Sequence, residues 1–305
     1  MMYIGGSCYE FSNKHRHGTA YKAGIELEFQ QKGSRLRDTV MVDPQSAEFD
    51  FYDRIGSTEA VEALTRHGDT PLISTPHDRR RIGMRDFDWA DMIDNKDKIR
   101  LLTDPTSSYT QNAVFAFGRK LDDIILEAAV GTAYTGKTGA TAVVYDTSYD
   151  IDVDYVESGA AANSNLTIAK LRYAQYLLKS SEAVEDDEPV TAVVTASQLM
   201  SLLATTEVTS ADYNSVKALV KGDINSFMGF NFRRTERVAK TGDIRYCLFY
   251  PKKAIQVGMG VDITVDVGPR RDKRNSLQIY VNTTFGASRM WEEAVIRVAC
   301  DETVI

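Results

Sequence analysis

The chain has 305 residues, 43% of them apolar and 26% charged, with a formal net charge of −7. That length can bury one large core or two ordinary ones, and the composition is that of a folded protein rather than a disordered or fibrous one. The acidic balance argues against a protein whose main work is gripping phosphate backbones, since such domains carry a concentrated basic excess.

Residues 1–36 are polar and interrupted by Gly5, Gly6, Gly18, Gly24 and Gly33. They predict an extended arm with one short strand at "GIELEFQ", where Ile25, Leu27 and Phe29 alternate with Glu26 and Glu28. From 37 to 94, two extended stretches flank a polar centre. "AEFDFYDRIG" (47–56) alternates Phe49 and Phe51 against Asp50 and Tyr52. "RRRIGMRDFDWADMID" (79–94) sets Arg81, Gly83, Arg85, Phe87 and Trp89 on one face and Ile82, Met84, Asp86 and Asp88 on the other. Charges on both faces predict an excursion that leans on an external partner. The link at 57–78 holds a short helix signal and then loop residues.

The clearest helix begins at "DPTSSYTQNAVFAFGRKLDDIILEAAVG", with Asp104 as N-cap and Pro105 at the first helical position. Ala113, Phe117, Leu121, Ile124, Ile125 and Ala128 recur at spacings of three and four, and Gly131 is placed to end the helix in the left-handed conformation. A strand follows at "ATAVVYD" (140–146), then a polar segment (147–165) and a helix at "TIAKLRYAQYLLKSSE" (167–182). The acidic run Glu185–Glu188 reads as a solvated turn, and "PVTAVVTA" (189–196) as a buried strand leading into the helix "SQLMSLLAT". From 242 the chain turns to strands: "GDIRYCLFYP", "AIQVGMG", two long alternating strands around the basic turn Arg270–Arg274, and a last one at "EAVIRVAC". The class is α+β.

"GTAYTGKT" (131–138) matches the P-loop pattern G-x-x-x-x-G-K-[ST]. A P-loop needs a strand before it and a helix N-terminus after it, so that backbone N–H groups converge on phosphate. Here a long helix precedes and β-branched strand formers follow, so phosphate would meet the partially negative end of a helix. Asp146 follows Thr138 too closely for an intervening helix. The stretch therefore predicts a flexible helix-to-strand connection with Lys137 solvated, and a P-loop NTPase is the alternative from a different class.

No catalytic constellation stands out, and neither a cofactor nor a metal is expected. His15, His17, His67 and His77 lack ligand spacing, and Cys8, Cys247 and Cys300 lack C-x-x-C spacing and nucleophile signatures. Free thiols, no signal-peptide core and no apolar run of membrane length predict a soluble protein in a reducing cytoplasm. Arg79, Arg80, Arg81 and Arg85 lie among Asp78, Asp86, Asp88, Asp91 and Asp94, a mixed-sign pattern that fits ion pairing to another protein surface better than nucleic acid. The tip residues Arg270, Arg271, Lys273 and Arg274 read as a hairpin end that touches DNA or an acidic neighbour, or as a solvated turn.

This order of parts resembles the major capsid proteins of tailed bacteriophages, a fold shared with encapsulin nanocompartments, over nearly the whole chain. "DINSFMGFNFRRTERV" (223–238) resembles the family's strand-entry phrase around a Gly-Phe pair, here Gly229 and Phe230. "LFYPKKAIQVGMG" (248–260) resembles the strand that follows it, and "FGASRMWEEAVIRV" (285–298) the closing segment. "TPLISTPHDRRRIGMRDFDWADMIDNKDKIR" with "DPTSSYTQNAVFAFGR" is similar to a subgroup in short-tailed and related phages. The resemblance implies an N-terminal arm (1–36) and an extended loop (37–94). It implies a peripheral domain (95–135 and 262–290) with a spine helix at 104–131, and a compact α/β axial domain (136–261 and 291–305).

It further implies a non-enzymatic protein that self-assembles as hexamers and pentamers into an icosahedral head shell. That shell would enclose double-stranded DNA without sequence-specific binding and without a membrane, an acidic inner face keeping DNA off the wall. The expected place is the virion, after assembly in the host cytoplasm, and an encapsulin-like shell is the alternative within the fold. Scaffold, portal and decoration proteins are further partners the resemblance admits. The chain starts at the arm, which leaves scaffolding to a separate protein or to none. Expected intersubunit contacts are Phe49, Phe51, Arg79, Arg80, Arg81, Arg85, Asp86, Asp88 and Trp89 in the loop, with Arg270, Arg271, Lys273 and Arg274 at the tip.

Overall fold

The computed structural model describes residues 30–62, 70, 72–94, 106–185, 188–204 and 226–304. The expected strand at Ile25–Phe29, the cap at Asp104 and Pro105, and most of the helix signal after Ser57 lie outside these residues. Strands are numbered in chain order.

The long helix α1 spans Thr106–Val130, about 38 Å at 1.5 Å per residue. Its predicted apolar face is the buried one: Ala113, Phe117, Leu121, Ile124 and Ile125 are each at most 5% exposed. At its end Ala129, rather than Ala128, is fully buried. Gly131 closes the helix while still donating its N–H to the Glu127 carbonyl at 2.8 Å. It does not take the left-handed conformation expected of it. Glycine is needed there for room, since a Cβ would lie 2.6 Å from that carbonyl oxygen.

Three sheets surround this helix. The first has the order β1 (Met41–Pro44), β13 (Ile255–Arg270), β14 (Ser276–Arg289), β4 (Arg85–Ile93) and forms a long blade beside α1. The expected pair of long strands around a basic turn is β13 and β14, antiparallel from Ile255↔Arg289 out to Arg270↔Ser276. The second sheet has the order β7 (Asp150–Ile151), β15 (Ile296–Asp301), β12 (Ile244–Pro251), β8 (Val190–Val194), β10 (Phe230–Arg234), β9 (Ser226–Phe227), with β11 (Lys240–Thr241) on β12. Helices α2 (Ile168–Ser180) and α3 (Ala196–Ala204) accompany it, as the sequence predicts. The Thr167 hydroxyl caps α2 by accepting from Lys170 N–H. The Gly229–Phe230 pair forms the entry to β10, with Gly229 at φ 78° and Phe230 buried.

The third sheet corrects two expectations. Its order is β2 (Phe49–Ile55), β3 (His77–Gly83), β5 (Ala133–Thr135), β6 (Thr141–Val143). The connection after α1 is thus not a flexible link but a tight hairpin, turned by Gly136 and Gly139 at φ 89° and 64° and added to the extended loop. The run 79–94 is not one strand: it breaks at Met84, so β3 stays in the hairpin sheet while β4 leaves the loop to pair with β14. A third correction concerns Glu188. It is not solvated like a plain turn residue, but pairs with Lys253 at 3.2 Å with only 15% of its side chain exposed.

Buried apolar residues form three clusters. One lies under the second sheet with α2 and α3, centred on Leu171, Val194, Phe230, Phe249 and Val298. Another joins α1 to the blade and the second sheet through Leu36, Ile125, Val193, Tyr250 and Val257. A small one pins the blade to the first half of α1 through Ile93, Phe117, Ile279 and Val281. Because Val193 and Leu248 of the second sheet share a cluster with Ile125 and Val257, the body is packed as one unit.

Candidate functional site

The hairpin sheet has two chemically different faces, set by strand alternation. In the β2–β3 register Arg54 opposes Asp78 and Tyr52 opposes Arg80, placing these side chains and Ile82 on the inner face. The structure corrects the intersubunit expectation for Arg80, which is 1% exposed and turned into its own chain. It donates to Glu292, in the loop between β14 and β15, and to the Met290 carbonyl at 3.4 Å. Arg54 also donates to Met290 O and to Asp78, and lies 3.7 Å from Glu292. Arg289, 0% exposed, approaches Glu292 at 3.8 Å and donates to the Ala129 and Gly131 carbonyls at 2.9 Å each. Burial holds the Arg80 and Arg289 guanidinium groups below their ordinary value, and the Glu292 charge offsets only part of that. Burial pushes the Asp78 carboxyl up, but hydrogen bonds from Thr135 and Arg54 outweigh it and hold the group at about 2.

The outer face is a ladder of arginines and rings. Arg79 lies 5.7 Å over Phe51, and Arg81 sits 4.8 Å from both the Phe49 and the Tyr134 ring. Arg79 also meets Asp53 at 3.3 Å, whereas Arg81 has no ion pair among the described residues. On the ladder's own side a cavity of about 300 Å³ opens between the hairpin root and α1, lined by Phe49, Arg81, Tyr134, Arg85, Ile124 and Glu127.

The remaining expected contact residues are scattered over the blade. Arg85 pairs with Glu127 of α1 at 3.0 Å. Asp86 accepts from Thr284 at 2.7 Å and Asp88 from the Tyr280 hydroxyl at 2.6 Å, both at exposed positions. Trp89 is half-buried on the opposite side, against the small cluster under α1. At the blade tip Arg270 pairs with Asp272 at 2.6 Å, while Arg271, Lys273 and Arg274 are exposed around a turn made by Arg274 and Asn275 at φ 54° and 57°.

The P-loop pattern does not form a phosphate cradle. Lys137 lies in the β5–β6 turn, and the next element is a strand rather than a helix. No cluster of His, Cys, Asp and Glu able to hold a metal occurs among the described residues.

Sequence reasoning missed the anchors of these surfaces. Glu292, Arg54 and Arg289 look like ordinary surface charges, and apart from the Arg289–Glu292 contact the partners that bring them together lie far along the chain. Asp122 left a signal, since it sits four residues after Gly118 and three before Ile125, on the apolar side of α1. It is 0% exposed and accepts from the Ser34 hydroxyl at 2.6 Å and the Leu36 N–H at 3.1 Å. Beside it a Cβ on Gly118 would lie 2.4 Å from the Gly33 backbone, so the root of the arm lies flat on the helix.

A family model described as phage capsid protein matches residues 15–302. Among solved structures, the capsid asymmetric unit of cyanophage Pam1 superposes with a TM-score of 0.69 at 13% identity, covering 96% of this chain and 99% of that one. The acid-stable capsid of Helicobacter pylori bacteriophage KHP30 gives 0.69 at 10% identity, covering 99% and 100%. The capsid of cyanophage P-SCSP1u gives 0.68 at 14%, covering 92% of each. No curated protein sequence matches. At such identities these likenesses are likenesses of fold, and the family match spans nearly the whole chain. The chain belongs to the phage capsid protein family, and is a structural, shell-forming protein of a tailed-phage virion with the fold its sequence resembles.

Proposed function

We propose that this protein builds its shell as hexamers and pentamers around double-stranded DNA, with the outer face of the hairpin sheet as a principal contact between copies. The observation that carries this reading is Arg81. Its guanidinium is held between two rings, already oriented, and has no carboxylate among the described residues to neutralise it. An exposed surface of opposite sign lies on the blade, where Asp86 and Asp88 accept from the hydroxyls of Thr284 and Tyr280 and have no ion pair among the described residues, and Asp266 is also exposed. A hairpin of one copy laid on the blade of the next would bring these charges together, and repetition over a shell makes weak pairs sufficient. The half-buried Phe51 and the exposed Phe49 would supply apolar contact beside them.

Within the same reading, the exposed cations of the blade tip form a second contact, and the 1–36 arm clasps a neighbour. Assembly takes place in the host cytoplasm, with scaffold and portal proteins as further partners. Arg81→Glu tests the hairpin contact. The variant is expected to keep the parent's melting temperature and lose shells by sedimentation and negative-stain microscopy, and Asp88→Arg in the same chain is expected to recover part of the yield. Shells formed by Arg81→Glu at the parent's yield and size would overturn the reading.

A further inference from the structure

The hairpin sheet is attached to the body differently from the other two sheets. None of the three apolar clusters includes a residue from β2, β3, β5 or β6. Ile82 is fully buried yet belongs to none of them. The joint is made instead by charge. Arg54 from β2, Arg80 from β3 and Arg289 from the end of β14 converge on Glu292, with Asp78, which pairs with Arg54, as the one further carboxylate ion-paired to them among the described residues. Three cations therefore share two anions in a largely buried place. Arg54 Nε, Arg80 Nη1 and two nitrogens of Arg289 are left there without an acceptor among the described residues. The aromatic faces of Trp291 and Tyr145, 4.9 Å from Arg54 and 5.3 Å from Arg289, offset part of that surplus.

We infer that Glu292 is the positioning residue of the hairpin, fixing the angle at which the sheet leaves the body and hence where its outer face meets another copy. Removing one partner of a buried ion pair leaves an uncompensated charge, which is far more costly than losing the pair as a whole. At this joint the cheapest relief is local. Swinging the hairpin outward hydrates Arg80 without disturbing any apolar cluster, so loss of Glu292 should loosen one sheet and leave the core intact.

Glu292→Gln keeps the shape and removes the charge. In the full chain, hydrogen exchange of peptides covering 49–55 and 77–83 is expected to accelerate by about tenfold or more, with exchange in β8 and β12 unchanged. Adding Arg80→Met, which removes the stranded cation, is expected to restore much of the hairpin's protection. Unchanged exchange in the hairpin, equal acceleration everywhere, or no recovery with Arg80→Met would each overturn the inference. If Glu292→Gln fails to fold, Glu292→Asp, which retracts the carboxylate without deleting it, is read by the same comparison. The link to assembly rests on the proposed role of the hairpin and is measured separately as shell yield. A loosened hairpin with undiminished shells would show that Glu292 holds the sheet but does not position it for assembly.

Discussion

Strand β8 in the second sheet is buried at every one of its positions, while β2 in the hairpin sheet is fully buried at none. The two sheets are similar in strand geometry and opposite in what secures them. The second sheet is held by apolar area under two helices, which is non-directional and shared among many residues. The hairpin sheet is held by a few guanidinium–carboxylate contacts and a ladder of cations on rings. Area-based cohesion makes a cooperative unit that fails as a whole, whereas a charged joint concentrates the consequences in single side chains.

The largest effect should come from breaking the first kind of cohesion. Phe249 is 0% exposed and packs edge-on to Phe230 with centroids 5.1 Å apart. Phe249→Ala is expected to cost about 3–5 kcal/mol of global stability in a denaturant titration, with all probes falling together. A loss confined to one region would dissolve the contrast between the two sheets.

A smaller effect should appear with acid, at a charged clasp on the second sheet itself. Glu302 accepts from Arg245 at 2.9 Å and Lys240 at 2.6 Å. Burial pushes its carboxyl up, but these bonds prevail and hold it at about 2. A carboxyl depressed in the folded state stabilises it above the unfolded value, near 4.3, and loses that contribution as pH falls toward 2. Between pH 5 and 2 the protein should lose about 2–3 kcal/mol through this group, and Glu302→Gln should flatten that part of the profile. An unaltered acid profile in the variant would assign the loss to other carboxyls. The smallest effect belongs to Lys137→Ala, which should leave shell yield and melting temperature at the parent's values and expose no ATP binding in the parent to lose.

How much of this was legible beforehand depended on the range of the interactions. The helix over Ala113–Ile125 and the alternation in β2, β13 and β14 are local patterns, and they emerge where spacing places them. Arg80 could not be assigned a side from its neighbours, because alternation fixes only that it opposes Arg79 and Arg81. What turns it inward is Glu292, 212 residues later. Of the hairpin at 133–143 the sequence showed only the second strand, within the one expected at 140–146; the first strand and its pairing were hidden for a similar reason. The hairpin's strands are three residues each, too short for periodicity, and exist because β3 offers them an edge. Lys170 is the plainest case: it is 0% exposed on α2, with its ammonium donating to the carbonyls of Val153, Ser164, Asn165 and Ala299. Backbone acceptors gathered from the preceding loop and from β15, 129 residues away, leave no mark in side-chain composition.

The crossing at Gly83 has a mechanical consequence. A Cβ on Gly286 would lie 2.1 Å from the Gly83 carbonyl oxygen, so β3 passes almost in touch with β14 just before the chain becomes β4. The hairpin and the blade are joined through the single residue Met84 between β3 and β4, with a fulcrum at that point. A load on the hairpin is not dissipated in a slack linker; it arrives as torque on nine-residue β4, which is laced to β14 along its length. In a closed shell, where every copy both pushes and is pushed, stiffness at this place comes from main chain against main chain.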